Sequence, residues 1–284
     1  MKKGSKVALS VFAASVGAAI GLNRFYVKKR YPKKMPKELL HFSEIAKGDT
    51  EGVHLTAHRG LSSIAPENTL EAFREAAKED YYAIECDVHY TTDGKWVIIH
   101  DYNMQSMTDR RGDVKKFTYE ELKEIKFTNG ANIESFPDAR MCTVEEFIDI
   151  CKESGKRPMI EVKDKRTDKV EDLYRIICEY GIEESVILIS FHAAVLREFR
   201  KLAPDMELWY LVHTITDDKL LECIEHDFGV AFEASKAAKT PEMIQKIHDN
   251  GLTAACWTVD TGERLNEMLK NGVKYITTNA ILPD

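Results

Sequence analysis

From residue 53 onward, short apolar runs alternate with amphipathic stretches. The apolar runs are rich in branched residues, which is typical of buried strands, and the stretches between them repeat apolar residues at helical spacing. Strands are predicted at 53–57, 83–90, 159–162, 186–190, 208–212, 230–233, 253–258 and 275–278. Helices are predicted at 69–79, 144–153, 169–180, 194–202, 219–226, 241–250 and 263–270.

Strands that alternate with helices form a parallel sheet, and eight such units close into a barrel. The predicted fold of 53–284 is therefore α/β, a (β/α)8 TIM barrel. The second unit departs from this rhythm, because Asp93-Gly94 follows the strand and a further apolar run comes at 95–100, which predicts a hairpin. Residues 101–142 show no clear barrel element and carry many charges, so we expect a rim insertion there.

The N-terminal segment, residues 1–34, has a different pattern. Residues 7–22 carry no charge, and six basic residues follow within 23–34. A spanning helix needs about 20 apolar residues, a length reached if 25–27 are included. We predict an uncleaved N-terminal hydrophobic helix that anchors the chain in a membrane, with the barrel on the cytoplasmic side because basic flanks tend to stay there. An exported form, anchored or cleaved, is the alternative. Residues 35–52 are predicted to be a polar linker.

Charge and cysteine usage narrow the function classes. The chain has 40 Lys and Arg against 47 Asp and Glu. Nine basic residues and no acids fall in 1–34, which leaves 31 basic and 47 acidic residues, a net charge of −16, in 35–284. This net negative charge argues against nucleic-acid binding, which needs a basic surface, and is compatible with binding of a divalent cation. The six cysteines form no C-x-x-C pair, and most are expected to be buried in a protein of a reducing compartment.

Carboxylates lie near the ends of the second and third predicted strands, where barrels carry their catalytic groups. Glu85 and Asp87 are two positions apart in a strand and therefore share a face. Adjacent carboxylates repel each other unless a cation lies between them. Glu161 and Lys163 share a face of the next barrel strand. All-oxygen acidic ligands favour Mg²⁺ or Ca²⁺ over zinc.

Two histidines accompany these acids. His58-Arg59 follows the first strand, and the hairpin brings His100-Asp101 to the same rim. Each histidine taken alone is as compatible with a core role as with catalysis, and Arg59 with a surface position. Their joint placement at the ends of successive barrel units favours an active site.

Seven motifs together resemble the glycerophosphodiester phosphodiesterase family, in order and spacing, over about 53–284. They are His58-Arg59-Gly60, Pro66-Glu67-Asn68-Thr69, Glu85-Cys86-Asp87-Val88, Thr92-Asp93-Gly94, His100-Asp101, Glu161-Val162-Lys163 and Trp257-Thr258-Val259. The insertion after His100-Asp101 also fits this family. Asp260 stands where the family pattern more often has Asn.

The resemblance implies a TIM barrel that hydrolyses a glycerophosphodiester to an alcohol and sn-glycerol 3-phosphate. It implies one divalent metal held by Glu85, Asp87 and Glu161, and two histidines as acid and base. His58 is assigned as the base and His100 as the acid. A glycerol hydroxyl is expected as the first nucleophile, as suggested for relatives.

Charge stabilisation at phosphorus is expected from the metal, Arg59 and Lys163. Glu67 and Trp257 are predicted to contact the substrate, although a core role for Trp257 is nearly as favoured. Asn68 with Glu71 matches an N-cap pattern and is interpreted as structural.

His192 is a weaker candidate for the pocket, and His89 a weaker one still. No function is assigned to His213.

Two other functions stay open. One is a related barrel phosphodiesterase, phospholipase C-like or phospholipase D-like, acting on lyso-lipids. The other is a catalytically inactive binding scaffold tethered to a membrane, which would require loss of a metal ligand or a histidine.

Overall fold

The computed structural model describes residues 38–237 and 241–284. The predicted membrane helix and basic flank at 1–34 lie outside these ranges. Within them, no helix combines the length and hydrophobicity that crossing a bilayer requires. The N-terminal anchor therefore stays a prediction.

Eight parallel strands close into a ring, which confirms the predicted TIM barrel. In the described residues, hydrogen bonds link each barrel strand to the next, and pairing of the first barrel strand with both the second and the last closes the circle. The barrel strands are β2 (His54–Ala57), β3 (Ala83–Tyr90), β6 (Arg157–Val162), β7 (Ile187–Ser190), β8 (Glu207–Val212), β9 (Gly229–Glu233), β10 (Ala254–Trp257) and β11 (Tyr275–Thr278).

The predicted hairpin follows β3. Strand β4 (Trp96–Ile98) runs antiparallel to β3, and β5 (Cys142–Thr143) pairs antiparallel with β4. Between β4 and β5 the rim insertion contains one short α-helix, α3 (Tyr119–Leu122), and three 3₁₀ turns at Met104–Ser106, Val114–Lys116 and Ile133–Ser135.

Part of the predicted linker packs on the barrel. Strand β1 (Leu40–His41) pairs in parallel with β12 (Ile281–Leu282), and helix α1 (Phe42–Ile45) follows it directly. Leu40, Phe42 and Ile45 are partly buried against the main core. Their apolar side chains explain why this stretch is ordered.

The outer helices cover the strands. They are α2 (Leu70–Ala77), α4 (Val144–Ser154), α5 (Val170–Tyr180), α6 (Ala193–Leu202), α7 (Asp217–His226), α8 (Ala234–Ala237), α9 (Pro241–Asp249) and α10 (Gly262–Lys270).

Helix α2 shows how these helices begin. Thr69, not Asn68, is its N-cap, because the Thr69 side chain accepts from the Ala72 amide. The predicted capping role of Asn68 is therefore wrong, and its side chain is free for the site described below.

An apolar cluster distinct from the main core fills the barrel interior beneath the carboxyl ends of the strands. Met159, Trp209, Leu211 and Ala255 belong to it. This packed layer forms the floor on which the groups at the carboxyl ends of the strands rest. Five of the six cysteines are buried, and all six are free thiols, as the sequence predicts.

Candidate active site

A cavity of about 300 Å³ opens at the carboxyl ends of the barrel strands. One side is charged and the other is apolar. The charged side is lined by His58, Arg59, Glu85, His100, Glu161 and Lys163, and the apolar side chiefly by Met159, Ile189, Phe191, Trp209, Leu211 and Trp257.

The three predicted metal ligands converge. Glu85, Asp87 and Glu161 are buried, and each offers one carboxylate oxygen within 4.8 Å of the others. Asp87 and Glu161 are direct neighbours across the β3–β6 pairing, so strand register brings them together. Burial, and then the charges of Asp87 and Glu161, raise the pKa of Glu85 well above its ordinary value.

Two cations partly neutralise this cluster. Lys163 Nζ lies 3.0 Å from Asp87 Oδ1 and 2.8 Å from Glu161 Oε1, and Arg59 Nε lies 3.3 Å from Asp87 Oδ2. Burial alone would raise the pKa of Asp87, but Lys163 and then Arg59 hold it well below its usual range. Asp87 is therefore the carboxylate that stays ionised.

The charge balance fits a divalent cation. Arg59 Nη1 also donates to Glu67 Oε1 at 2.8 Å, so four carboxylates face two cations in this part of the described structure. When all are ionised, two negative charges remain in a buried site, where uncompensated charge is costly. The hard oxygen donors suit Mg²⁺ or Ca²⁺.

The loop after β2 positions Arg59 through a left-handed backbone conformation. Arg59 has φ 58°, and its amide donates to Glu85 Oε2 at 2.8 Å. Gly60 follows with φ 76°, and a Cβ on it would lie 2.5 Å from the Ala72 carbonyl carbon. Only glycine fits so close to helix α2, which explains its place in the His58-Arg59-Gly60 motif.

Asn68 belongs to the site. Its Nδ2 donates to Asp87 Oδ2 at 2.7 Å, and its Oδ1 accepts the Asp87 amide at 3.2 Å. The pair holds the Asp87 carboxylate against rotation. The N-cap pattern concealed this role, which depends on a left-handed backbone at Asn68, φ 58°.

His58 faces the acids with one nitrogen already engaged. Its Nδ1 is 2.8 Å from Asn279 Oδ1. Burial, and then the positive charge of Arg59, lower the pKa of His58 from 6.5 to about 3, which leaves the ring neutral near pH 7.

His100 lines the same cavity as His58. Its Nδ1 is 3.0 Å from Asp101 Oδ1, so the adjacent aspartate orients the ring. His89, one of the weaker candidates, is buried behind it, with Nε2 3.2 Å from the His100 carbonyl oxygen. Burial lowers the pKa of His89 to about 4. Its contact with the His100 backbone gives His89 a structural position.

Aromatic rings form the outer part of the apolar side. Phe191 stacks on His213 with ring centroids 4.9 Å apart, and Trp257 meets both rings edge-on. His213 Nδ1 is 2.9 Å from Glu233 Oε2. Phe191 and His213 follow the ends of β7 and β8, so the strand-end rule that identified His58 also applies to them.

Two predicted contacts take other positions. Glu67 is buried against Arg59 and is not among the described residues that line the cavity. His192 is not among them either, and it precedes helix α6 as the N-cap residue. Trp257 does line the cavity, and its Nε1 donates to the Ala231 carbonyl at 3.3 Å.

Fold and cavity together define a TIM-barrel enzyme whose charged groups gather at the strand ends. The sequence profile of the glycerophosphoryl diester phosphodiesterase family matches residues 58–282. The chain belongs to that family.

Two curated relatives show the extent of the similarity. A glycerophosphodiester phosphodiesterase of Caldanaerobacter subterraneus is 33% identical, covering 78% of this chain and 92% of the relative. Mouse glycerophosphodiester phosphodiesterase 1 is 27% identical, covering 97% of this chain and 91% of the relative.

Solved structures confirm the fold. A glycerophosphodiester phosphodiesterase from Parabacteroides distasonis superposes with a TM-score of 0.70 at 24% identity, over 81% of this chain and 94% of the other. An Oleispira antarctica phosphodiesterase, solved with the product sn-glycerol-3-phosphate, gives 0.74 at 21% identity, over 80% and 93%.

Proposed function

We propose that this chain hydrolyses glycerophosphodiesters to sn-glycerol 3-phosphate and an alcohol, using one divalent cation and two histidines. One observation carries the proposal: the buried trio Glu85, Asp87 and Glu161 shares a cavity with both His58 and His100. The names of the curated relatives, and the product bound to the Oleispira protein, support the same reaction.

Each charged group has a task in this scheme. A divalent cation bound by the trio supplies Lewis-acid stabilisation of the phosphoryl oxygens. Lys163 and Arg59 stand beside the trio and offset the negative charge that grows on phosphorus as the nucleophile adds. Asn68 keeps the Asp87 carboxylate in place through its two hydrogen bonds.

The two histidines divide the proton transfers. His58 Nε2 accepts the proton of the attacking hydroxyl, from water or from the glycerol, as the new P–O bond forms. His100 donates a proton to the leaving alkoxide as the old P–O bond breaks. When the glycerol hydroxyl attacks, the product of this step is a cyclic phosphate. Water then opens the ring to sn-glycerol 3-phosphate, with His100 taking the proton of the water and His58 returning its proton to the glycerol oxygen.

The surroundings of the two rings support this division. Burial and the positive charge of Arg59 keep His58 neutral near pH 7, as a base must be. The Asp101 carboxylate, 3.0 Å from His100 Nδ1, orients the His100 ring.

A substrate panel tests the function. Glycerophosphocholine, glycerophosphoethanolamine and glycerophosphoinositol are incubated with protein loaded with Mg²⁺, Ca²⁺ or Mn²⁺, or stripped with EDTA. We expect release of sn-glycerol 3-phosphate in at least one metal-loaded reaction and none after EDTA. Full turnover in a verified metal-free preparation would contradict the metal requirement, and inorganic or choline phosphate as product would contradict the bond assigned.

A second substrate class is favoured by the apolar side of the cavity. Ile189, Phe191 and Leu211 offer little to a polar head group but would accommodate an acyl chain. Lysophosphatidylcholine beside glycerophosphocholine distinguishes the two classes, since release of lysophosphatidic acid and choline marks phospholipase D-like action on a lyso-lipid.

We also propose that residues 1–34 anchor the enzyme in a membrane with the barrel in the cytoplasm. The uncharged run 7–22 and the six basic residues behind it support this. Reporter fusions at the C-terminus in intact cells test the orientation. Labelling of the barrel from outside would overturn the cytoplasmic assignment.

A further inference from the structure

We propose that Asp260 and Asn279 are positioning residues that fix His58 in the tautomer with the proton on Nδ1, so that Nε2 faces the substrate with a free electron pair. This inference rests on the proposed role of His58 as the base. It goes further because it assigns a role to Asp260 and Asn279, whose hydrogen bonds lead to His58 and not to the acid trio.

The Asp260 carboxylate is the fixed end of the chain of hydrogen bonds. Its Oδ1 accepts from the backbone N–H of Asn279 at 2.7 Å and from Thr278 Oγ1 at 3.1 Å. Its Oδ2 accepts from the side-chain nitrogen of Asn279, Nδ2, at 2.7 Å. An ionised carboxylate can only accept, and three donors point at this one. The nitrogen of the Asn279 side chain must therefore face Asp260.

The other half of the amide is then also determined. Asn279 Oδ1 faces His58 Nδ1 at 2.8 Å and accepts from Ser62 Oγ at 3.1 Å. Ser63 Oγ donates to the Asn279 carbonyl, and the His58 amide donates to the Thr278 carbonyl at 2.9 Å, so the loop and the strand end are held together. An amide oxygen can only accept, so the 2.8 Å hydrogen bond requires the proton of neutral His58 to be on Nδ1.

This arrangement matters because a general base needs a free electron pair toward its substrate. The opposite tautomer would present an N–H to the nucleophile and could not take its proton. An amide oxygen selects the useful tautomer without adding a negative charge beside the ring. When Nε2 accepts the nucleophile's proton, Nδ1 keeps its own, so Asn279 and Asp260 orient the ring and exchange no proton with it.

Nitrogen NMR reads the tautomer directly. The full chain is labelled with ¹⁵N-histidine, and the His58 signals are assigned by their loss in His58→Gln. Near pH 7 the native protein should show protonated Nδ1 and unprotonated Nε2.

In Asp260→Asn the neighbouring amide is free to turn over, and the other tautomer should appear. We then expect kcat to fall about 10–10²-fold with KM within about twofold, since loss of a residue that orients a functional histidine has effects of this size.

Two further variants sharpen the test. The exchange Asp260→Asn with Asn279→Asp again gives Nδ1 an acceptor, so protonated Nδ1 should return. Asp205→Asn, in an exposed turn before β8, is the matched control and should change neither spectrum nor kcat. If Asp260→Asn does not fold, Asn279→Ser, which removes the amide acceptor, takes its place.

The outcomes separate this inference from the proposed function. An unchanged His58 tautomer in Asp260→Asn overturns the positioning role, even where melting temperature or kcat falls, because the residue then acts only on stability. Native protein that shows protonated Nε2 overturns it as well. Native protein with the expected tautomer but no phosphodiesterase activity contradicts the proposed function and leaves the tautomer assignment standing.

Discussion

The two sides of the cavity come from opposite arcs of one barrel and differ in almost every property. Strands β2, β3 and β6 and the segments after them carry the acid trio, both histidines, Arg59 and Lys163. Ion pairs join Arg59 to Asp87 and Lys163 to both Asp87 and Glu161. Strands β7 to β10 contribute mainly apolar and aromatic side chains to the same space. A substrate between them meets charge on one face and hydrocarbon on the other.

This contrast shows how a buried charged site is made tolerable. Buried charges are costly unless they reach partners, and partners are in reach only on adjacent strands. The charged groups are therefore concentrated in one arc. The apolar arc has no such requirement, and by excluding water it strengthens the electrostatic interactions opposite it.

The largest expected effect comes from removing a metal ligand in the charged arc. Glu85→Gln should lower kcat/KM by about 10⁴-fold or more, because metal ions stabilise the transition state by several kcal/mol. Isothermal calorimetry with Mg²⁺ and Ca²⁺ should show binding to the native protein and much weaker binding to the variant. Glu184→Gln, in an exposed turn before β7, is the control. Native affinity in Glu85→Gln would show that the cation lies elsewhere.

The roles of the two histidines should be distinguished by substrates with different leaving groups. His58→Ala and His100→Ala should each lower kcat by about 10²–10⁴-fold on a choline ester. A nitrophenyl leaving group needs no protonation, so it should rescue His100→Ala much more than His58→Ala. His226→Ala, at the end of α7, should behave as native protein. Equal rescue of both variants would refute the assignment of acid and base.

A pH effect on stability should arise from His58 in the charged arc. The pKa of His58 falls from 6.5 to about 3 on folding, so below pH 6.5 the unfolded chain binds a proton that the folded chain does not. The free energy of unfolding therefore decreases as the pH falls below 6.5. Between pH 7 and pH 5, in EDTA, His58→Gln should lose less unfolding free energy than native protein, by on the order of 1–2 kcal/mol. Urea unfolding at the two pH values measures the difference. Identical losses would mean that the ring titrates normally.

The apolar arc should affect binding rather than chemistry. Phe191→Ala should raise KM about tenfold and leave kcat within about twofold, because the ring contacts substrate and transition state alike. Leu221→Ala, an equally apolar change at a side chain 53% exposed on helix α7, should alter neither. Steady-state kinetics on glycerophosphocholine and lysophosphatidylcholine give both constants. A drop in kcat at constant KM would place Phe191 with the charged arc.

The smallest effect on catalysis is expected outside both arcs. Deleting 1–34 should leave kcat/KM on a water-soluble diester within about twofold, since the proposed catalytic residues begin at His58. The same deletion should move the protein from the membrane fraction to the supernatant. Large loss of activity in a folded, soluble variant would indicate that the N-terminal segment contributes to the site.

Local pattern alone determined the barrel and the charged arc. Alternating apolar runs and helical stretches predict a (β/α)8 ring, and the two-residue period of a strand places Glu85 beside Asp87. His58 and His100 follow from their positions at strand ends. These features are readable because each depends on residues that are near one another along the chain.

Ring closure and loop conformation decided the rest. Asn279 reaches His58 across 221 positions only because β11 pairs with β2. Asn68 holds Asp87 because its backbone is left-handed, which an N-cap pattern does not reveal. Phe191 and His213 form one wall because β7 and β8 pair in parallel and each residue directly follows the carboxyl end of its strand. Contacts of this kind depend on how backbone segments that are distant along the chain come together in the fold. The local pattern of apolar and polar residues does not specify the spatial distance between such segments.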